Sequence, residues 1–371
     1  MARKVGPVSE ATAERTARAN AARAVALVFP GDLATRTGGY TYDRRAFAGL
    51  ESRGWRVRHV SLPDRFPFPD AAALDAADAA LAGLPDGSRA VVDGLAFGAM
   101  PAVAARHAAR LDLTALVHHP LGLETGLSEE DSARFLRGER EALRSARRVV
   151  VTSPLTARTL AADLGVPADR ITVALPGVDP APATEVRDPP RLLLCVGTLN
   201  PRKGHLVLLR ALAALRDLDW RLVCAGSLER DPGTAASVRD AVARLGLADR
   251  VRLAGELDGP GLMSAYADTD LLVSASYYEG YGMALTEALA RGLPVVAADG
   301  GAVPDTVPPD AGLLVPAGDA PALAVALRRA LTEPGLYARL REGALRARER
   351  LPRWSDTAAA IERALLAEVP A

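Results

Sequence analysis

Twelve short apolar runs punctuate the chain, and most are followed by a longer alanine- and leucine-rich stretch of helical period. In the first half they lie at 24–29, 56–60, 89–93, 113–119, 147–153 and 171–175. In the second half they lie at 192–197, 220–226, 250–255, 270–276, 294–299 and 311–316. Most are continuously apolar rather than alternating, as expected of strands covered by helices on both faces. Strand–helix alternation implies parallel sheets with right-handed crossovers. At 371 residues the chain exceeds one ordinary core, so the six-and-six division predicts two α/β domains, each a doubly wound parallel sheet.

The stretch "PGVDPAPATEVRDPPR" (176–191) separates the halves. It is dense in proline, lacks an apolar period and reads as a linker. The last segment, 354–369, reads as a helix capped by Ser355 or Asp356. Residues 1–23 read as a frayed leader, with a helix expected near 9–23. Its apolar face would be mostly alanine, which gives little support to a peripheral membrane contact. It also lacks the apolar core of a signal peptide.

Basic and acidic residues balance at 45 each and aromatics make up 4%, which argues against a nucleic-acid surface. Cys195 and Cys224 each sit inside an apolar run without metal-ligand spacing and read as buried free thiols. With no run long enough to span a membrane, the expectation is a cytoplasmic protein.

Two doubly wound domains joined by a linker would face each other across a cleft, and α/β folds bind ligands at the carboxyl ends of strands. Residues following the strands are therefore the candidates. After the first run, Gly38 and Gly39 precede a helical stretch and would let amides approach an anion. The spacing is not the dinucleotide fingerprint GxGxxG. After the fourth run comes "HHPLGLETG", where His118 or His119 can donate to a sugar hydroxyl or alkoxide. After the seventh, Arg202 and Lys203 can hold a phosphate, and the helix that follows has Leu206, Leu209 and Leu212 on one face. After the tenth comes "YYEGYGMALTEALA". Gly280, Tyr281 and Gly282 would turn the chain and expose amides at a helix start. Glu287, turned away from Leu285 and Leu289, would be free to reach a ligand. Glu279 and Lys203 are both expected at the cleft surface.

These motifs resemble the GT-B glycosyltransferases of family 4, also called group 1, which are retaining enzymes with nucleotide-sugar donors. The resemblance runs from about Ala24 to the end and rests on the glycine pair, "PGVD", "GTLNPRKG" and "EGYGMALTE" with its two glutamates. It implies a first domain of 24–180 plus 355–371, a linker at 181–190 and a donor domain of 191–354. The final helix would cross back onto the first domain. By resemblance, His118 and Glu279 are catalytic and meet the reacting sugar, while Glu287 meets the donor ribose. The amides of Gly39 and of Gly280 to Gly282 meet the pyrophosphate with Arg202 and Lys203, and Gly255 and Leu257 line the base pocket. Relatives often carry arginine where this chain has Thr198. No cofactor and no metal are expected, because no Asp-x-Asp site lies in place. The acceptor, whether glycan, lipid or small metabolite, is expected on first-domain loops that include 93–98. A sugar-nucleotide epimerase and a binding protein without turnover remain the alternatives.

Overall fold

The computed structural model describes residues 23–185, 187 and 189–367; the expected leader, all but residue 23 of its helix and the last residues of 354–369 lie outside them. The first sheet comprises β1 (Ala24–Pro30), β2 (Arg56–Leu62), β3 (Arg89–Asp93), β4 (Asp112–Val117), β5 (Arg148–Val151) and β6 (Ile171–Val173). The second comprises β7 (Leu192–Val196), β8 (Arg221–Ala225), β9 (Val251–Gly255), β10 (Leu271–Ser274), β11 (Val295–Ala298) and β12 (Gly312–Val315). Every apolar run becomes a strand, but the runs 113–119, 147–153, 171–175 and 270–276 each overshoot by two residues at their carboxyl ends. β4 stops at Val117 and β10 at Ser274, so the histidines and the Ser276–Gly282 turn are released into loops.

Both sheets are six-stranded and parallel, in the orders β2-β1-β3-β4-β5-β6 and β12-β11-β10-β7-β8-β9. The direction of winding reverses between β1 and β3 in one sheet and between β7 and β10 in the other. Loops leaving two strands at a reversal part to opposite faces and open a crevice between them. The inner strands are sheathed by helices and almost fully buried, as at Leu27, Val92, Leu194 and Val273. The edge strand β2 instead exposes Arg56, Arg58 and His59, charges that discourage pairing with another chain.

The helix Trp354–Leu366 packs on the first sheet, although it follows the second domain in sequence. Ile361 and Leu365 join Tyr42, Phe47, Leu50 and Trp55 in one apolar cluster. Glu362 accepts from Trp55 Nε1 at 3.0 Å and Arg53 Nε at 2.7 Å. The expected caps shift by a turn: Arg353 is the N-cap, and Asp356 reaches back to its N–H at 2.8 Å. Ser355 lies inside the helix.

The chain passes between the domains twice, and the two passes touch. Val178 N–H donates to Pro352 O at 2.9 Å. A Cβ on Gly177 would fall 2.2 Å from Trp354 N, so only glycine lets the passes come this close. This gives the "PGVD" signature a physical reason. Gly177→Ala is therefore expected to cost about 1–3 kcal/mol in urea unfolding, the usual penalty for overpacking. Gly259→Ala, where a Cβ meets nothing within 4 Å, is the control and should stay within about 0.5 kcal/mol.

Candidate active site

The second-domain half of the site is built at the reversal between β7 and β10. Asn200 caps the single turn Pro201–Lys203, its side chain accepting from Lys203 N–H at 3.2 Å. Tyr277 N–H donates to Arg202 O at 2.8 Å and ties this loop to the one leaving β10. Lys203 Nζ lies 2.6 Å from Glu279 Oε1, and Arg202 Nη1 lies 3.6 Å from Glu279 Oε2. Glu279 is only 8% exposed, so it is not the cleft-surface carboxylate that the sequence suggests. Burial alone would raise its carboxyl, but the two cations outweigh burial and hold it below the usual range. Arg202 also meets Glu124 of the first domain at 3.0 Å and donates to Tyr278 O at 2.8 Å. Both cations thus have carboxylate partners already. In the following helix, His205–Ala213, Leu206 is only partly buried while Val207 and Leu208 are fully so, and the apolar surface is wider than one face.

The turn after Glu279 is shaped by two constraints. Gly282 sits at φ +94°, a left-handed conformation, just before the helix Met283–Leu289. A Cβ on Gly280 would lie 2.6 Å from His118 O, so the turn presses against the first domain. The amides of Gly280, Tyr281 and Gly282 have no hydrogen-bond partner among the described residues. That helix has only seven residues, so free N–H groups rather than a long dipole make the turn attractive to an anion. Tyr281 lines a cavity of about 260 Å³ together with Leu175 and Pro352.

Glu287 is not free. Its Oε2 accepts from Tyr266 Oη at 2.8 Å, and burial raises its carboxyl above the usual range against that bond and Arg291. A helical wheel shows which way Glu287 points but not the partner on a neighbouring helix.

The first-domain half gathers at the ends of β1, β3 and β4. Gly38 and Gly39 do not precede a helix; they are its first residues, behind the N-cap Thr37, and their amides have no hydrogen-bond partner among the described residues. The His118 ring lies against Gly39, whose Cβ would stand 3.4 Å from Cδ2 and 3.5 Å from Nε2. His118 Nε2 is 3.2 Å from Asp43 Oδ1 and 3.9 Å from Asp93 Oδ2. His119 instead meets Glu124 at 3.1 Å and tilts against Tyr278. Burial would raise Glu124, but His119 and Arg202 bring it down to about 2. His118 therefore faces the glycine pair while His119 faces the loop leaving β10.

Sequence reading missed Asp43, Asp93 and Glu124. Asp93 ends β3, where the strand-end rule could have found it, and Asp43 lies one helical turn beyond Gly39 on the same face. Ligand-type atoms of Asp43, Asp93 and His118 come within 4.8 Å of one another, a grouping that the expectation of no metal-type cluster did not foresee. The stretch 93–98 is also corrected. It is not an open acceptor loop, because Gly94–Phe97 is a short helix with Gly94, Ala96 and Phe97 buried. In the second domain Gly255 has a clear face, and Leu257 O accepts from Arg36 of the first domain at 3.3 Å. No helix among the described residues is long and apolar enough to cross a membrane.

Two Rossmann-like domains whose strand ends face each other across a cleft define the GT-B fold. The chain aligns with sucrose-phosphate synthase from Thermosynechococcus elongatus at a TM-score of 0.77 and 23% identity, covering 92% of this chain and 98% of that one. It aligns with Anabaena HepE, solved with UDP and glucose, at 0.73 and 19%, covering 92% and 99%. Residues 90–182 match the model "Glycosyltransferase Family 4", and residues 181–347 match "Glycosyl transferases group 1". Both models describe glycosyltransferases, and together they run from residue 90 to residue 347 of the chain. The chain is 34% identical over 260 residues to a D-inositol 3-phosphate glycosyltransferase of Thermobispora bispora, covering 65% of this chain and 60% of the relative. It is 29% identical over 265 residues to an MMP alpha-(1->4)-mannosyltransferase of Mycolicibacterium hassiacum, covering 67% and 63%. The match thus spans less than two thirds of these curated relatives.

The ion cluster makes a stability prediction. Lys203→Ala leaves a buried carboxylate with Arg202 alone and should cost roughly 3 kcal/mol at neutral pH, at the low end for breaking a buried pair. The folded Glu279 carboxyl is held below its unfolded value. Its contribution is thus full above the ordinary carboxylate pKa of about 4.3 and is lost as pH falls through the lower folded value. The gap between wild type and variant in urea unfolding should therefore narrow on acidification. An equal gap at neutral and acid pH would contradict the assignment.

Proposed function

We propose that the chain is a retaining glycosyltransferase that moves a sugar from a nucleotide diphosphate donor to an acceptor hydroxyl. One observation carries the reading. Unpartnered amides of Gly38 and Gly39 in one domain and of Gly280, Tyr281 and Gly282 in the other lie on either side of His118, and the second set directly follows the buried Glu279 with its partners Lys203 and Arg202. Amide donors and cations stabilise a leaving diphosphate, and a carboxylate kept anionic accepts from sugar hydroxyls. The base would rest near Gly255 and Leu257 and the ribose near Glu287. HepE has been solved in complex with UDP and glucose and with UDP-glucose, which makes uridine diphosphate sugars the first donors to test.

In the proposed step the bond between the anomeric carbon and the phosphate oxygen breaks as the acceptor oxygen attacks on the same face. The departing phosphate oxygen takes the acceptor's proton, so no separate base is needed. Arg202, Lys203 and the free amides meet the charge that develops, without a metal ion in the step. We place the acceptor beside Glu124, in a cavity of about 380 Å³ lined by Leu123, Leu127, Ser132 and Leu136. That lining includes Glu124 and Glu129 but no lysine or arginine, which favours acceptors without a phosphate. A cytoplasmic site of action fits the supply of nucleotide sugars.

The test pairs thermal shift with nucleotide release. A cognate donor at about a hundredfold its Kd should add about 2.7 kcal/mol of stability. Glu279→Ala should lower turnover by on the order of 10²–10³, the scale of losing a preorganised charge contact. Turnover should persist in excess EDTA; loss with rescue by magnesium or manganese would overturn the metal-free step. Donor isomerised without an acceptor would point to an epimerase, and binding without turnover on a broad panel to a binding protein.

A further inference from the structure

The least balanced part of the molecule is the cluster under His118. Asp43 is fully buried and Asp93 is 1% exposed. Asp43 Oδ1 and Oδ2, Asp93 Oδ2 and His118 Nε2 are all buried without a hydrogen-bond partner among the described residues. Asp93 Oδ1 is used, accepting from Leu95 N–H at 2.7 Å as the cap of the short helix Gly94–Phe97. Two carboxylates cannot both stay charged and dry at this separation without a counter-charge. The cation within reach is the imidazole ring, 3.2 Å from one and 3.9 Å from the other.

The ring's orientation settles which nitrogen serves which neighbour. Its Cδ2–Nε2 edge lies on Gly39 and Asp43, and the edge of the Tyr42 ring meets it at 5.3 Å between centroids. Tyr42 Oη is engaged elsewhere, donating to Ala174 O at 2.9 Å. The His118 carbonyl is fixed by the Thr152 and Thr156 hydroxyls, and Gly280 closes over it from the second domain. The side chain is still 21% exposed while Nε2 is buried, so the exposure lies on the Nδ1 edge.

We propose that Asp43 and Asp93 are positioning residues that hold His118 as an imidazolium with Nε2–H turned inward, which leaves Nδ1–H as the donor presented to the ligand in the cleft. The inference deepens the glycosyltransferase reading and rests on it only for what the ligand is. The electrostatics agree with the geometry. Burial would lower the imidazole, but Asp43 and then Asp93 raise it above its ordinary value. Burial and Asp43 push Asp93 up to about 7 against the pull of His118, so the cluster holds a proton close to neutrality. The other titratable groups nearby are Tyr40, which feels both carboxylates together with Arg230 and Asp32, and His119, which is committed to Glu124. A charged donor here offers a sugar hydroxyl or phosphate oxygen a stronger hydrogen bond than a neutral ring, and the carboxylates keep it charged where a free imidazole would be neutral.

The test is made on the full chain with isotope-labelled histidine. Five histidines are few enough to resolve, and the His118 signals are assigned by their loss in His118→Gln. Nitrogen shifts followed over pH in wild type should show both His118 nitrogens protonated at neutral pH. Asp43→Asn, an isosteric change, should lower the titration midpoint by about one pH unit or more, as expected on losing an adjacent opposite charge. Asp93→Asn, which keeps the cap on Leu95, should lower it less. With an active donor pair, Asp43→Asn should cut kcat on the order of 10–100-fold, the scale for removing a group that orients a histidine. Donor KM should change little, and the alkaline limb of the kcat profile should move to lower pH. A neutral His118 carrying its proton on Nδ1 at pH 7 would overturn the proposal. So would an unchanged titration in both variants, or a stoichiometric divalent metal in purified wild type that Asp43→Asn loses. The spectra need no turnover, so failure to find transfer would count against the glycosyltransferase reading and leave this result standing.

Discussion

The Glu279 carboxylate is the point to which the rest of the site is tied. It is buried, and a buried carboxylate stays charged only if cations and hydrogen bonds meet it. Lys203 and Arg202 do so from the loop after β7, so two loops that part at the sheet's reversal are drawn together. Arg202 carries the connection across the cleft to Glu124, and Glu124 passes it to His119. From Lys203 through Glu279 and Arg202 to Glu124 the charges alternate in sign from one domain to the other. On the proposed reading, a diphosphate entering beside them would compete with Glu124 for Arg202.

The architecture was legible because both of its causes are local. Continuous runs such as "LLLCV" and "PVVAA" suit a strand buried on two faces, and proline density marked the crossing between domains. Candidate site residues were legible where backbone chemistry demanded a residue type, as at Gly280 and Gly282, or where a charged pair followed a strand. Partnership was not legible. Tyr266 stands on a different helix from Glu287, Asp43 is fifty residues from Asp93 in round terms, and Glu124 binds a residue of the other domain. Such pairs are set by tertiary packing, which no periodicity encodes. The same gap explains why Glu279 looked exposed: a glutamate in a glycine-rich turn reads as solvated until its cations are placed around it.

Charge neutrality over the whole chain conceals strong local order. The first-domain face of the cleft buries two aspartates under one imidazole, and the second-domain face buries a glutamate under an arginine and a lysine. In each case a buried carboxylate lies within reach of a basic side chain on the cleft side. Polar groups fixed in this way need little reorganisation when a ligand's charge changes during reaction.

The helix Trp354–Leu366 has a consequence for how the molecule is made. It fills one side of the first domain's core, against Phe47, Leu50 and Trp55, yet the ribosome delivers it after all of the second domain. Domains usually fold in the order in which they emerge. Here the domain begun first is completed last. The apolar side of Phe47 and Trp55 stays uncovered while some 170 residues of the second domain pass through the exit tunnel, roughly ten to thirty seconds at ordinary synthesis rates. During that interval the nascent first domain presents a sticky face to its surroundings, and the second domain is the earlier of the two to reach its final packing.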